Sequence, residues 1–266
     1  MIYCNLKGGL GNMMFQISAM NNFSHKSGIR CAFPNYSSHL SKLKNDKIHN
    51  QNCKHAHEYS NFIKNINDKI EEEPKYQVTF PFHYVDFNDV KDGMLFDGFF
   101  QSEKYFVDIK KQVQDLFNTD NVDLSTYEID FNRSCSIHIR RGDYLKFSDS
   151  HPVMAKEYYI NAVNVIHEKI DHILVFSDDI EWCKSNFSKN EFNKNIIYSK
   201  EDKDYLEISL MSKCAHNVIA NSSFSWWGAW LNKNPNKAVI APKRWFGKNL
   251  EHLTTADLLP PDWIKI

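Results

Sequence analysis

Ser136-Ile137-His138-Ile139-Arg140-Arg141-Gly142-Asp143-Tyr144 is the stretch on which the fold reading turns. It alternates like a strand, then delivers two arginines, a glycine and an aspartate at the strand's end. Period-two alternation puts His138 and Arg140 on one face and Arg141 on the other. In open α/β sheets, ligands bind beyond the carboxyl ends of strands. Guanidinium groups stay charged, and their planar fork matches phosphate oxygens. The stretch therefore reads as a phosphate or diphosphate clamp. The competing reading is an ion pair between one arginine and Asp143, because charges at a buried strand end are costly unless paired. Arg141-Gly142-Asp143 also matches a cell-adhesion tripeptide. That meaning is set aside, since no secretory feature accompanies it.

Working outward, Ser136–Arg140, His172–Phe176, Ile196–Tyr198, Asn217–Ala220 and Ala238–Ala241 read as strands. Lys156–Lys169, Asp179–Asn186, Tyr205–Cys214 and Ser225–Leu231 have helical spacing between them. This βαβα rhythm implies a parallel sheet with helices on both faces. The N-terminal half opens in the same way. Met1–Leu6 reads as a strand and Gly8-Gly9-Leu10-Gly11-Asn12 as a glycine turn. A helix follows to about Lys26, spaced by Met13, Met14, Ile17, Met20 and Phe23. Strands are expected at Arg30–Phe33 and Met94–Phe100, and a helix at Glu103–Phe117. Residues 35–92 are polar and patternless, which suggests short helices and loops. Asn118–Asn132 reads as a linker. The expected fold class is α/β, with two halves, 1–125 and 126–266, and a cleft between them.

The chain has 266 residues, 42% of them hydrophobic, and a net charge of -1. That suffices for a core and leaves no basic field for nucleic acid. The six cysteines are scattered with no C-x-x-C pair. They read as buried free thiols in a reducing compartment, ahead of disulfides or zinc ligands. No signal peptide or membrane-length apolar run is visible, so the expectation is a cytoplasmic protein. Peripheral membrane contact stays open.

Several blocks carry candidate chemistry. The glycine turn lets backbone N–H groups approach a ligand at a helix N-terminus, and reads equally well as an ordinary tight turn. Asn12 and Gln16 share a helix face, pointing into a cleft or merely solvating it. In Phe176-Ser177-Asp178-Asp179, one carboxylate caps the next helix, which is the plain reading for Asp179. Asp178 at the strand end would then accept hydrogen bonds from a base or ribose. In Asn221–Trp230, the hydroxyls of Ser222, Ser223 and Ser225 meet a helix opening. That suits an anion, or plain N-capping, or both. Asp202-Lys203-Asp204 resembles a metal-holding D-x-D motif but reads better as helix capping. His55-Ala56-His57 reads as a solvated pair with no carboxylate partner at helical spacing. No metal site is expected.

Together these blocks resemble the bacterial α-1,2-fucosyltransferases of glycosyltransferase family 11. The matching stretches are Gly8–Asn12 with Phe15-Gln16, Gly98–Phe106, His138–Tyr144, Phe176–Asp179 with Trp182, Ser222–Leu231 and Pro242–Phe246. The match is thin from Asn35 to Asp92. Met13 departs from it, standing where the family usually has Gln. The resemblance implies a GT-B fold of two facing Rossmann-like domains, the first serving the acceptor and the second holding GDP-fucose. It implies inverting transfer of L-fucose to the 2-hydroxyl of a terminal galactose in a glycan, with no metal and no cofactor beyond the donor.

In that frame Gly9, Asn12, His138, Asp178, Ser222, Ser223 and Ser225 are assigned to the donor, and Gln16 and Gln101 to the acceptor. Arg140 or Arg141 would stabilise charge on the leaving diphosphate. Inversion calls for a base, or for a transition state loose enough to need little help. The residues do not name that base. Asp143 is nominated, with an orienting salt bridge as its alternative role. The rival functions are a fucosyltransferase of another linkage, a transferase using another GDP-sugar, and a non-catalytic nucleotide-sugar-binding protein.

Overall fold

Ile2, Tyr3 and Cys4 are all buried, and as β1 (Ile2–Cys4) they form the middle of a parallel sheet. The computed structural model describes residues 1–46 and 53–266. Helix α1 (Leu10–Ser27) follows the glycine turn and ends on Gly28, left-handed at φ 71°. Then come β2 (Cys31–Ala32), α2 (Tyr36–Asn45), β3 (Tyr76–Thr79), β4 (Met94–Asp97) and α3 (Lys110–Leu116). The sheet order is β2-β1-β4-β3, with every pair parallel.

The expected helix over Glu103–Phe117 is broken. Two 3-10 turns, Glu103–Tyr105 and Val107–Ile109, precede α3, and Phe106 between them is non-helical at φ -151° and ψ 7°. Ser102 caps the first turn by accepting from the Lys104 N–H. The aromatic side chains of Phe23, Phe80, Phe96, Phe100 and Tyr105 pack beside this break.

The second unit carries a longer sheet. Its elements are β5 (Ser134–Ile139), α4 (Lys156–Ile166), β6 (His172–Ser177), α5 (Ile180–Asn186), α6 (Lys189–Phe192) and β7 (Asn195–Tyr198). They continue with α7 (Asp204–Met211), β8 (His216–Val218), α8 (Ser223–Trp230), β9 (Val239–Ala241) and β10 (Ile264–Lys265). The order is β10-β9-β8-β5-β6-β7, again all parallel. Strand β5 is buried along its whole length. Its apolar Cys135, Ile137 and Ile139 alternate with polar Ser134, Ser136 and His138, which are buried as well. Helix α8 buries Trp226, Trp227 and Trp230 together, and Gly228 lets it close onto Met211 of α7.

Contacts divide the chain into Met1–Asn118 with Leu253–Pro260, and Thr119–His252 with Pro261–Ile266. The chain thus passes between units three times, where the sequence suggested one passage near residue 125. Both units are α/β with parallel sheets, the class expected. All six cysteines are free, and five of them are buried. Among the described residues, no helix is long and apolar enough to cross a membrane.

Candidate active site

In the second sheet the chain builds outward from β5 in both directions: β6 and β7 to one side, β8, β9 and β10 to the other. The strand order therefore reverses between β5 and β8. Ligands of doubly wound sheets bind beyond the carboxyl ends of the strands at such a switch point. Arg140 and Arg141 leave β5 there, and Asn221–Ser225 leave β8. Two segments about 80 residues apart in sequence become neighbours through topology. The Tyr144 hydroxyl spans them, donating to the Asn221 carbonyl at 3.0 Å.

The two arginines are held by three carboxylates. Arg140 Nη2 donates to Asp143 Oδ1 at 2.6 Å, and its Nη1 lies 3.0 Å from Asp178 Oδ2. Burial works against the Arg140 charge, and Asp178 and Asp143 more than offset it. The Arg141 backbone N–H donates to Asp178 Oδ1 at 2.9 Å. Its side chain diverges from Arg140, with Nε donating to Asp179 Oδ2 at 3.0 Å and the guanidinium stacking 3.7 Å from the Trp182 ring centre. Asp179 also caps α5, accepting from the Trp182 N–H at 3.3 Å. The ion pair with Asp143 is thus present, and it fixes the geometry in which Arg140 is offered. Five guanidinium donors leave Arg140 capacity for a further partner.

Gly142 makes this packing possible. A Cβ there would run into the carboxylate of Asp178, whose side chain is only 3% exposed. Gly142→Ala is expected to push Asp178 off both arginines and to destabilise the protein by about 1–3 kcal/mol. A melting curve beside wild type reads that loss.

The remaining second-unit candidates lie around the same strand ends. His138 is enclosed, with Nδ1 unpartnered and its ring 5.3 Å from that of Phe224. Burial, reinforced by Arg140, drops its pKa to about 3, so it is neutral. Ser222 is the N-cap of α8, accepting from the Phe224 N–H at 3.4 Å. Ser225 Oγ donates to the Ser222 carbonyl at 3.4 Å. Ser223 opens the helix. Asn221 donates to the Pro152 and Trp245 carbonyls at 3.0 and 2.9 Å, fixing two flanking loops.

The first sheet repeats the arrangement between β1 and β4, where its order also reverses. The glycine turn leaves β1 and Gly98–Gln101 leaves β4. Gln101 Nε2 donates to Asn12 Oδ1 at 2.6 Å. Gly8 is left-handed at φ 76°, and a Cβ there would collide with Asn12. Gly9 is the N-cap of α1, without a side-chain cap. Gln16 is fully buried, and its amide closes on the turn: Oε1 accepts from the Lys7 N–H at 3.0 Å and Nε2 donates to the Lys7 carbonyl at 2.9 Å. Its observed partner is thus the loop backbone. Gly9, Asn12, Gln16 and Gln101 belong to the first unit, and the arginine group to the second.

Two weaker motifs are redefined. The N-cap of α7 falls on Lys203 and carries no side-chain cap bond. Asp204 lies in the first turn, where its charge complements the helix dipole. His55 does have a carboxylate at helical spacing, because Nδ1 lies 3.1 Å from Glu58 Oε1. Among the described residues, no group of three or more His, Cys, Asp or Glu side chains is placed to hold a metal ion.

Three residues of the second unit had no role in the sequence reading. Tyr144 bridges the strand ends, and burial pushes its pKa up to about 12. Glu207 of α7 is raised to about 8 by burial, with Ser199 opposing and Asp204, Glu201 and Asp178 adding to the rise. His151 stacks on Tyr144, with ring centres 4.9 Å apart and planes at 22°. Tyr144 was visible in the motif. His151 and Glu207 lie outside every motif and only the fold brings them in.

With this geometry in place, the chain can be set beside known proteins. The description Glycosyl transferase family 11 matches residues 1–266. An Alpha-1,2-colitosyltransferase from Escherichia coli is 33% identical over 293 residues, covering 100% of this chain and 98% of its own length. Galactoside 2-alpha-L-fucosyltransferase Sec1 of Mus musculus is 25% identical over 250 residues, covering 87% of this chain and 64% of its own. A crystal structure of POFUT1 in complex with GDP-fucose aligns over 90% of this chain and 96% of its own, at 11% identity and a TM-score of 0.47.

Proposed function

The chain belongs to glycosyltransferase family 11, and from that premise we propose that it transfers L-fucose from GDP-fucose to the 2-hydroxyl of a terminal galactose, with inversion. The observation that carries the reading is the placement of Arg140 and the Ser222–Ser225 turn at one strand-order reversal. As the C1–O bond breaks, negative charge collects on the β-phosphate. Arg140, Arg141 and the first N–H groups of α8 are the fixed donors for that charge. No metal is required in this scheme. His138, Asp178 and the serine hydroxyls complete the donor side. Gly9 and Asn12 retain their donor assignment, and Gln101 its acceptor assignment. Gln16 supports them by holding Lys7 in place.

Two guanidinium groups face three carboxylates in the folded protein. An incoming diphosphate therefore competes with Asp143 for Arg140. We assign Asp143 to orienting Arg140. Asp143→Asn removes the competing charge and is expected to tighten GDP binding about threefold to tenfold, since charge-assisted bonds are roughly twice as strong as neutral ones. Titration calorimetry checks this. Weaker GDP binding in the variant would count against the competition.

A second reading has its own support. The full-length relative named for colitose points to a donor lacking the 3-hydroxyl of L-fucose. Release of GDP from GDP-fucose, GDP-colitose and GDP-mannose, with and without lactose and in excess EDTA, separates the possibilities. Lactose-stimulated turnover of GDP-fucose above the other donors is the expected result. Preference for GDP-colitose selects the second reading, and rescue by Mn²⁺ or Mg²⁺ after EDTA overturns metal independence.

A further inference from the structure

We propose that His151 is the general base that takes the proton from the acceptor hydroxyl. The inference rests on the transferase reading and concerns a residue outside its motifs. The imidazole belongs to an aromatic cluster: Arg140 lies 5.4 Å from the Tyr144 ring centre, Tyr144 stacks on His151 at 4.9 Å, and the Phe246 ring packs on His151 at 5.8 Å, tilted by 58°. The ring is thereby fixed in the same assembly as the diphosphate clamp. Its backbone is fixed as well, with the His151 N–H donating to the Phe147 carbonyl at 2.8 Å. The flanking loop is held from the other side. The Gly247 N–H donates to the Ser150 carbonyl at 2.9 Å, and a Cβ on Gly247 would collide with the Asp149 carbonyl.

Among the described residues, the enclosed Nδ1 of His151 has no hydrogen-bond partner. A neutral imidazole held in this way has a lone pair without a partner. The other candidates around the clamp are committed. Asp143 is bound to Arg140, Asp178 to the Arg141 N–H, and Asp179 to Arg141 and the α5 cap. His138 is neutral, with a pKa of about 3, too low to hold a proton near neutrality. Burial lowers the His151 pKa below the ordinary histidine value, with Asp143 opposing and Arg140 assisting. Asp143, Arg140 and Tyr144 are the charged and titratable groups facing it, and Phe246 presents only an apolar ring. His151 is therefore neutral and able to accept a proton at pH 7.

In the step itself, the acceptor oxygen bonds to fucose C1 as its proton passes to the imidazole. The C1–O bond to the β-phosphate breaks, and its electron pair leaves on GDP. The imidazolium then returns the proton to solvent.

The test compares wild type, His151→Gln and His151→Phe in fucose transfer to lactose between about pH 5 and 8, with GDP affinity measured alongside. The phenylalanine variant keeps the aromatic cluster, so it separates stacking from proton transfer. In wild type, kcat should fall about tenfold per pH unit below an inflection lying under the ordinary histidine value. Both variants should lose about 10²–10⁴-fold in kcat at neutral pH, lose the acid limb, and bind GDP as wild type does. A kcat within about threefold of wild type in either variant overturns the assignment. So does a flat wild-type profile, which needs no variant to fold. Failure of wild type to bind GDP would instead remove the donor reading, and the base assignment with it.

Discussion

Arg140→Lys is expected to lower kcat/KM for fucosyl transfer by about 10²–10³-fold, the scale on which a single oxyanion donor contributes. The fold should survive, because lysine keeps the charge that Asp143 and Asp178 require. What it loses is the fork. Arg140 Nη1 and Nη2 reach two carboxylates at once while its remaining N–H groups stay available. A lysine ammonium can satisfy the two carboxylates or turn to a phosphate, but has no rigid plane with which to do both. Arg141→Lys should also reduce turnover, through loss of the guanidinium stack on Trp182 and the bond to Asp179. Steady-state kinetics with melting curves check both. Near-normal turnover in the two variants would end the clamp hypothesis.

Asp178→Ala should cause the largest loss of stability, about 3–5 kcal/mol, the cost of removing one partner from a buried ion pair. The Asp178 side chain is 3% exposed and meets both Arg140 and the Arg141 backbone N–H. Its removal leaves Arg140 leaning on Asp143 alone and the Arg141 N–H unpartnered at a strand end. Denaturant unfolding of the variant beside wild type gives the number. A loss below about 1 kcal/mol would mean that water replaces the carboxylate, and that the site is wetter than its burial suggests.

Legibility in the sequence followed burial. Strand β6 was readable because its central positions Ile173–Phe176 are enclosed and apolar, and β5 because Cys135, Ile137 and Ile139 alternate with polar residues. Strand β3 was not, because Tyr76–Thr79 is mostly exposed and presents no apolar face. Strand β10 is a two-residue edge, and α6 is a single turn built on its Ser188–Glu191 capping box. The arginine pair announced itself through strand alternation. Of its carboxylate partners only Asp143 was anticipated, because Asp178 lies more than 35 residues away, just past the neighbouring strand β6. Gln16 shows the converse: its helix face was left open between a cleft and solvent, and its amide instead meets the Lys7 backbone. His151 lies in a loop where no periodicity operates, so only the fold shows its place beside Tyr144.

A crystal structure with GDP bound tests the central claim most directly. The account predicts the diphosphate at the reversal between β5 and β8, with its β-phosphate hydrogen-bonded to Arg140 and to backbone N–H groups within Ser222–Ser225. A nucleotide bound elsewhere, with Arg140 still engaged only by Asp143 and Asp178, would contradict it.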